Sequence, residues 1–139
     1  MPTCFSLVYS STPTVLLTPT ALLDVLAAAR HFNSQHRISG LLLHAHGQVM
    51  QLLEGSEIPI RALYARIERD PRHTAVTLVS THAAAPREFP DWAMGFATAD
   101  AGPLLSAGAL DAIRPDFLLG REHNFSAATR ELIAGFLAG

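Results

Sequence analysis

Lysine is missing altogether: the ten cationic side chains are all arginine. That removes any chemistry that runs through a lysine amine, such as a Schiff base. Cysteine occurs once, at Cys4, so the sequence offers no internal disulfide and no cysteine-based zinc site. Charged residues make up only 16% of the chain and nearly cancel, leaving a formal net charge of -2. Without a basic run there is no nucleic-acid footprint. No apolar stretch reaches the roughly 18 residues that a membrane helix needs. The apolar start has no basic n-region of a secretory signal and is broken at Ser10, Ser11, Thr12 and Pro13. The expectation is a cytoplasmic protein with no membrane contact. Also absent are a glycine-rich phosphate loop, a G-x-S-x-G elbow and a His or carboxylate set with metal-ligand spacing.

What is present is apolar. Hydrophobic residues are 49% of 139, enough to fill the core of one domain and far from the composition of a disordered chain. Residues 3–9 alternate, with Phe5, Leu7 and Tyr9 on one face and Ser6 and Val8 on the other, which predicts a strand ending in the turn-rich SSTPT. Thr18 before Pro19 has the form of a helix N-cap; Leu22, Leu26, Ala29 and Asn33 then fall on one helical face. Strands follow at 37–45 and 48–54, joined by a tight turn at His46-Gly47. Gly55-Ser56 open a second helix, with Ile60, Leu63, Tyr64 and Ile67 as its apolar stripe and Asp70-Pro71 as its stop. Residues 74–81 are β-branched and strand-like, and 92–98 read as a short last strand. The order β-α-β-β-α-β-β predicts an α+β, ferredoxin-like sheet, antiparallel or mixed, with two helices on one face. Residues 101–139 read as a helical extension to the domain at 1–100. Its best helix is 124–137, capped by Asn124 or Ser126, and it is placed to cover the other face or an oligomer contact.

Three polar residues stand in apolar settings. Gln51 shares a strand face with Val49 and Leu53, so it meets apolar neighbours whichever face is buried, and an amide buried without partners is costly. Tyr9 ends the face of Phe5 and Leu7, and Asn33 ends the stripe of the first helix. Each has an ordinary structural reading, the tyrosine as core and the asparagine as a cap. Together they place donors and acceptors between the sheet and the first helix, suited to a flat ligand with carbonyl and N–H edges. Arg66, Arg69, Arg72 and His73 around Asp70-Pro71 serve equally as a phosphate-neutralising cluster or as a solvated helix end.

Asn33, ISGLLLH (38–44), QLLEG (51–55), DPRH (70–73) and FPDWAMGF (89–96) occur in an order and spacing that resembles the BLUF domain, the blue-light sensor using FAD. The resemblance covers residues 3–98. It implies that Tyr9 is the electron and proton donor to the excited flavin. Gln51 would lie between Tyr9 and the flavin N5/C4=O edge, Asn33 on the C4=O/N3–H edge and Arg66 on the C2 carbonyl side. Asp70 would be a further contact, Arg72 and His73 candidates for the ribityl or phosphate groups, and Val25 a residue packed on the ring. Trp92 and Met94 match the family's output elements. Ala29 stands where many members have serine, and Phe32 where a polar residue is common.

Residues 101–139 match no effector, so the chain resembles the short, stand-alone members that signal through a downstream partner protein and form homo-oligomers. The resulting expectation is a photoreceptor and not an enzyme. The alternatives are a flavin-free interaction module of the same fold and a small ferredoxin-like hydrolase of the acylphosphatase type, for which the phosphate loop is lacking.

Overall fold

The alternation of Phe5, Leu7 and Tyr9 is realised as strand β1 (Cys4–Pro13) in a computed structural model that describes residues 4–90, 92–99, 113, 118, 120 and 125–139. The strand runs past the expected 3–9. Ser10 to Pro13 stay extended because they find partners on β4 (His73–Ala85), with Thr12 opposite Thr74 and Pro13 opposite His73. That pairing crosses a bulge between Ser10 and Thr12, and Ala75 there takes φ 52, a left-handed conformation uncommon for a residue with a Cβ. Pairing with β1 likewise extends β4 beyond the expected 74–81.

Helix α1 (Pro19–His36) begins as its sequence predicts. The Thr18 hydroxyl accepts from the Ala21 N–H at 3.1 Å, and Pro19 occupies the first turn. The helix ends at Arg37, held at φ 55, whose N–H returns to the Asn33 carbonyl. β2 (Ser39–Ala45) and β3 (Gln48–Gly55) form a hairpin in which His46 and Gly47 both have positive φ, 55 and 71. This geometry matches the right-handed twist of the paired strands. α2 (Glu57–Arg69) stops at Asp70, ahead of Pro71.

β5 is confined to Gly95–Thr98, shorter than the 92–98 expected. The preceding backbone bonds outside any ladder: Trp92 N–H to the Phe89 carbonyl, and the Trp92 carbonyl to Gly40 N–H. α3 (Ala127–Ala138) is capped by Ser126, whose hydroxyl accepts from Thr129 N–H. Asn124, the alternative cap, lies outside the described residues, as does most of 100–124.

The described strands form one sheet in the order β4-β1-β3-β2-β5, antiparallel except where β5 runs parallel to β2. β3 is inserted between β1 and β2, which is the ferredoxin-like plan with an added edge strand. Strand alternation gives the sheet two apolar faces. One packs Phe5, Leu7, Tyr9, Val49 and Leu53 under Leu22 and Leu26 of α1 and Ile60 of α2. The other packs Val8, Leu41, Leu43, Met50 and Leu52 against Ile133 of α3 and Phe125. No helix among the described residues is long and apolar enough to cross a membrane.

Candidate functional site

The register of β1 against β3 sets Tyr9 opposite Gln51 on the face under the helices. The Tyr9 hydroxyl donates to Gln51 Oε1, and the two side chains are 1% and 4% exposed. At its other end the Gln51 amide donates from Nε2 to Met94 Sδ at 3.4 Å, a weak acceptor for a buried N–H. Burial pushes the Tyr9 phenol well above its ordinary value, with Tyr64 and Asp70 adding to the effect. The hydroxyl therefore keeps its proton and remains a donor.

Met94 lies behind Gln51 in the core, whereas Tyr9 and Gln51 line a cavity of about 180 Å³ between α1 and α2. Of the residues singled out from sequence, Tyr9, Val25, Gln51, Arg66, Asp70, Arg72 and His73 all line it. The sequence reading did not assign Ala28 or Leu42 to this wall, and it took Leu63 and Ile67 as core. Helical spacing was a signal for all but Leu42, since Ala28 is one turn before Phe32 and Leu63 is one turn before Ile67. Ala29 and Phe32 also line the cavity.

Asn33 is fully buried, yet it does not line that cavity; it borders a separate depression with Arg37, Arg87 and Ala93. Its Nδ2 donates to the Ala93 carbonyl at 2.6 Å, while its Oδ1 is buried without a hydrogen-bond partner. A buried acceptor left unmade costs about 1–3 kcal/mol. The orphan has the chemistry to accept from a ligand N–H.

One end of the cavity is charged. Arg72 grips Asp70 through Nε at 3.0 Å and Nη2 at 2.7 Å, and its backbone N–H adds a third donor. That grip holds the Asp70 carboxyl down at about 2. His73 Nδ1 lies 2.9 Å from the hydroxyl of Ser11, a buried β1 residue on the same face as Tyr9; burial lowers the His73 value. The Arg66 guanidinium sits 5.5 Å over the Phe32 ring, which stacks on His36 at 4.0 Å.

The other output candidate is elsewhere. Trp92 stacks on Phe89 and meets Phe125 edge-on, within the cluster on the α3 side of the sheet. Also missed by the sequence reading is Glu54, a carboxylate only 3% exposed, which accepts from the Ser39 hydroxyl at 2.8 Å and from the N–H groups of Glu88 and Phe89. Burial raises its value and the two backbone donors oppose the rise. Its sequence signal was slight: one acid at the end of an otherwise apolar strand.

A family model described as sensors of blue-light using FAD, BLUF, matches residues 4–95. The photoactivated adenylate cyclase subunit beta of Euglena gracilis is 37% identical over 97 residues, which is 69% of this chain and 11% of that protein. The chain thus spans about a tenth of the length of that relative. Among solved structures, the dark state of the BLUF protein BlrB superposes with a TM-score of 0.67 at 24% identity, covering 97% of this chain and 98% of that one. Klebsiella pneumoniae BlrP1 with FMN and cyclic diGMP gives a TM-score of 0.67 at 24% identity, over 94% of this chain and 34% of that one. At these identities the two structures speak for the fold.

Proposed function

The chain belongs to the BLUF family of flavin-binding blue-light sensors, and from that premise we propose that Tyr9 and Gln51 form its photoactive pair, with the flavin held between α1 and α2. The observation that carries the reading is the buried hydrogen-bond chain Tyr9–Gln51–Met94, whose first two members line the cavity. Asn33 Oδ1 would accept from the ring N–H, Val25 would pack on the ring, and Arg66 would face a ring carbonyl. Asp70, Arg72 and His73 would meet the polar tail.

The bound flavin supplies blue absorption and, once excited, a strong electron acceptor. Tyr9 would be its donor: the phenol would give an electron to the excited ring and its proton to Gln51 along the existing hydrogen bond, and both would return. Gln51 carries an acceptor and a donor at opposite ends of one amide. Rotation of that amide, or a change of tautomer, exchanges what faces Tyr9, Met94 and the ring edge. Gln51 would then donate more strongly to a ring carbonyl, which would red-shift the absorption, and the two states would differ in the contact between Gln51 and Met94.

FAD is the cofactor we propose over FMN, supported by the family's description. The output we propose is contact with a partner protein, of the kind that the cyclase of the Euglena relative represents, and self-association through the same domain. Visible absorption of the purified protein in darkness and after blue illumination tests the reading. A flavin spectrum that moves to the red and relaxes in darkness is the expected result. Bound flavin that never shifts would refute the photoactive assignment, and failure to take up flavin would refute the site.

A further inference from the structure

Residues 88–94 join the photoactive glutamine to the C-terminal helix. At one end the Met94 side chain meets Gln51 Nε2. The backbone behind it is held at successive carbonyls: Met94 by Arg30 Nε at 2.9 Å, Ala93 by Asn33 at 2.6 Å and Trp92 by Gly40 N–H at 3.0 Å. A turn from Trp92 N–H to the Phe89 carbonyl carries the chain back to Glu88. There the segment is fixed twice, from opposite sides. The N–H groups of Glu88 and Phe89 donate to the Glu54 carboxylate on β3. The Glu88 carboxylate in turn accepts from Ser126 N–H at 2.6 Å and from the Thr129 hydroxyl at 2.5 Å.

Those last contacts are the N-terminus of α3. A carboxylate suits that position because the first-turn N–H groups have no partner within the helix and the helix dipole is positive there. Phe89 and Trp92 reinforce it by packing on Phe125, the residue before the Ser126 cap. The other end of α3 is held independently: His46, in the β2–β3 turn, places Nε2 2.9 Å from the Leu137 carbonyl.

We infer that Glu88 is the clasp through which the state of Gln51 reaches α3: it positions the helix N-terminus against the sheet, and the 88–94 segment moves it when the Gln51–Met94 contact changes. The inference rests on the proposed role of Gln51. In the arrangement of this structure Nε2 donates to Met94. After rotation Oε1 faces the thioether, two acceptors meet, and that contact is lost. The change travels along a short, doubly anchored segment to a clasp made by one side chain. Glu54, anchored to the sheet, is the fixed point; Glu88 is the moving one.

Amide hydrogen exchange of the flavin-loaded full chain, in darkness and under blue light, tests this with absorbance read on the same samples. In the native protein, light should speed exchange in 127–131 and leave 134–138 unchanged. Glu88→Gln removes the charge and one acceptor, so it should speed dark exchange in 127–131 about five-fold and erase the light effect there. Its flavin red shift should remain. Thr129→Val, which removes one partner of the clasp and keeps the side-chain shape, should act in the same direction. His46→Ala should loosen 134–138 in darkness and preserve the light response at 127–131. If the red shift occurs and 127–131 exchanges equally in both states, the clasp is not an output element and the inference falls. It falls equally if E88Q keeps the native light–dark difference. Absence of any red shift in the native protein would instead overturn the role of Gln51, and the light-driven part of the inference with it.

Discussion

Met94 and Trp92, two positions apart in sequence, serve opposite faces of the sheet. Met94 Sδ accepts from Gln51 on the side of α1 and α2, whereas Trp92 stacks on Phe89 and meets Phe125 edge-on on the side of α3. Both residues precede β5, so neither is held by ladder bonds. What fixes them is the set of bonds from α1 and β2 to the carbonyls between 92 and 94.

That arrangement separates two substitutions. Met94→Ala leaves a buried Gln51 N–H without its acceptor, at about 1–3 kcal/mol, in the state that places Nε2 towards Met94. The dark-state flavin spectrum or the rate of dark recovery should therefore change. Trp92→Phe keeps an aromatic ring beside Phe89 and Phe125, and Trp92 is not among the residues that line the cavity. Its dark spectrum and the size of its red shift should match those of the native protein. Transient absorption of both variants checks the pair, and a W92F change as large as that of M94A would reverse the assignment.

Tyr9→Phe removes the hydroxyl that donates to Gln51 Oε1 and leaves the ring packed against Tyr64. Flavin should still bind, because the ring volume is kept, and the light-induced red shift should vanish. Gln51 Oε1 is then buried without a donor, so the apoprotein should lose about 1–3 kcal/mol of unfolding free energy. Difference spectroscopy and denaturant unfolding measure the two effects separately. A normal red shift in Y9F would exclude the tyrosine as the donor.

Much of this was legible because the signals were periodic. Alternation grouped Tyr9 with Phe5 and Leu7 and Gln51 with Val49 and Leu53, the register of β1 against β3 then set the two groups on one face, and helical spacing put Asn33 below Leu22 and Leu26. Capping chemistry fixed the start of α1 at Thr18. What escaped the sequence depended on contacts between distant segments. Ser10 to Pro13 read as turn-formers and are extended because β4 offers partners there. Trp92 to Met94 read as strand and are not, because Gly40, Asn33 and Arg30 take their carbonyls. Glu54 showed nothing local that foretold its burial under the Glu88 and Phe89 amides. The unpaired end of Asn33 was equally invisible, since only the position of the Ala93 carbonyl decides which end of the amide is left over.

The cavity should give the protein a two-step loss of stability on acidification. His73 titrates at 6.5 when unperturbed and lower in the fold, mainly through burial. The unfolded chain therefore takes that proton first, and stability should fall as pH drops below 6.5. Asp70 is lowered from 3.8 to about 2, chiefly by the Arg72 hydrogen bonds. Its contribution is complete above 3.8 and should be lost as pH falls from there towards 2. Denaturant unfolding across this range checks both. His73→Gln should flatten the upper step and Asp70→Asn the lower, each leaving the other in place.

Asn33→Leu distinguishes a ligand-binding asparagine from a structural one. The substitution removes the bond to the Ala93 carbonyl, and it also removes an Oδ1 that is buried with no partner. In the apoprotein these changes oppose each other, since the orphan acceptor carries a desolvation penalty comparable with the bond that is lost. The unfolding free energy of the apoprotein should therefore change by less than about 1 kcal/mol. With flavin the balance differs, because the native Oδ1 then has a ring N–H to accept. The variant should bind FAD about ten-fold more weakly, equivalent to about 1.4 kcal/mol. Titration of the apoprotein by flavin fluorescence gives the affinity, and urea unfolding without flavin gives the reference. Equal affinity with a large loss of apoprotein stability would mean that Asn33 only pins the 92–94 segment to α1, and that the ring edge is held by another group.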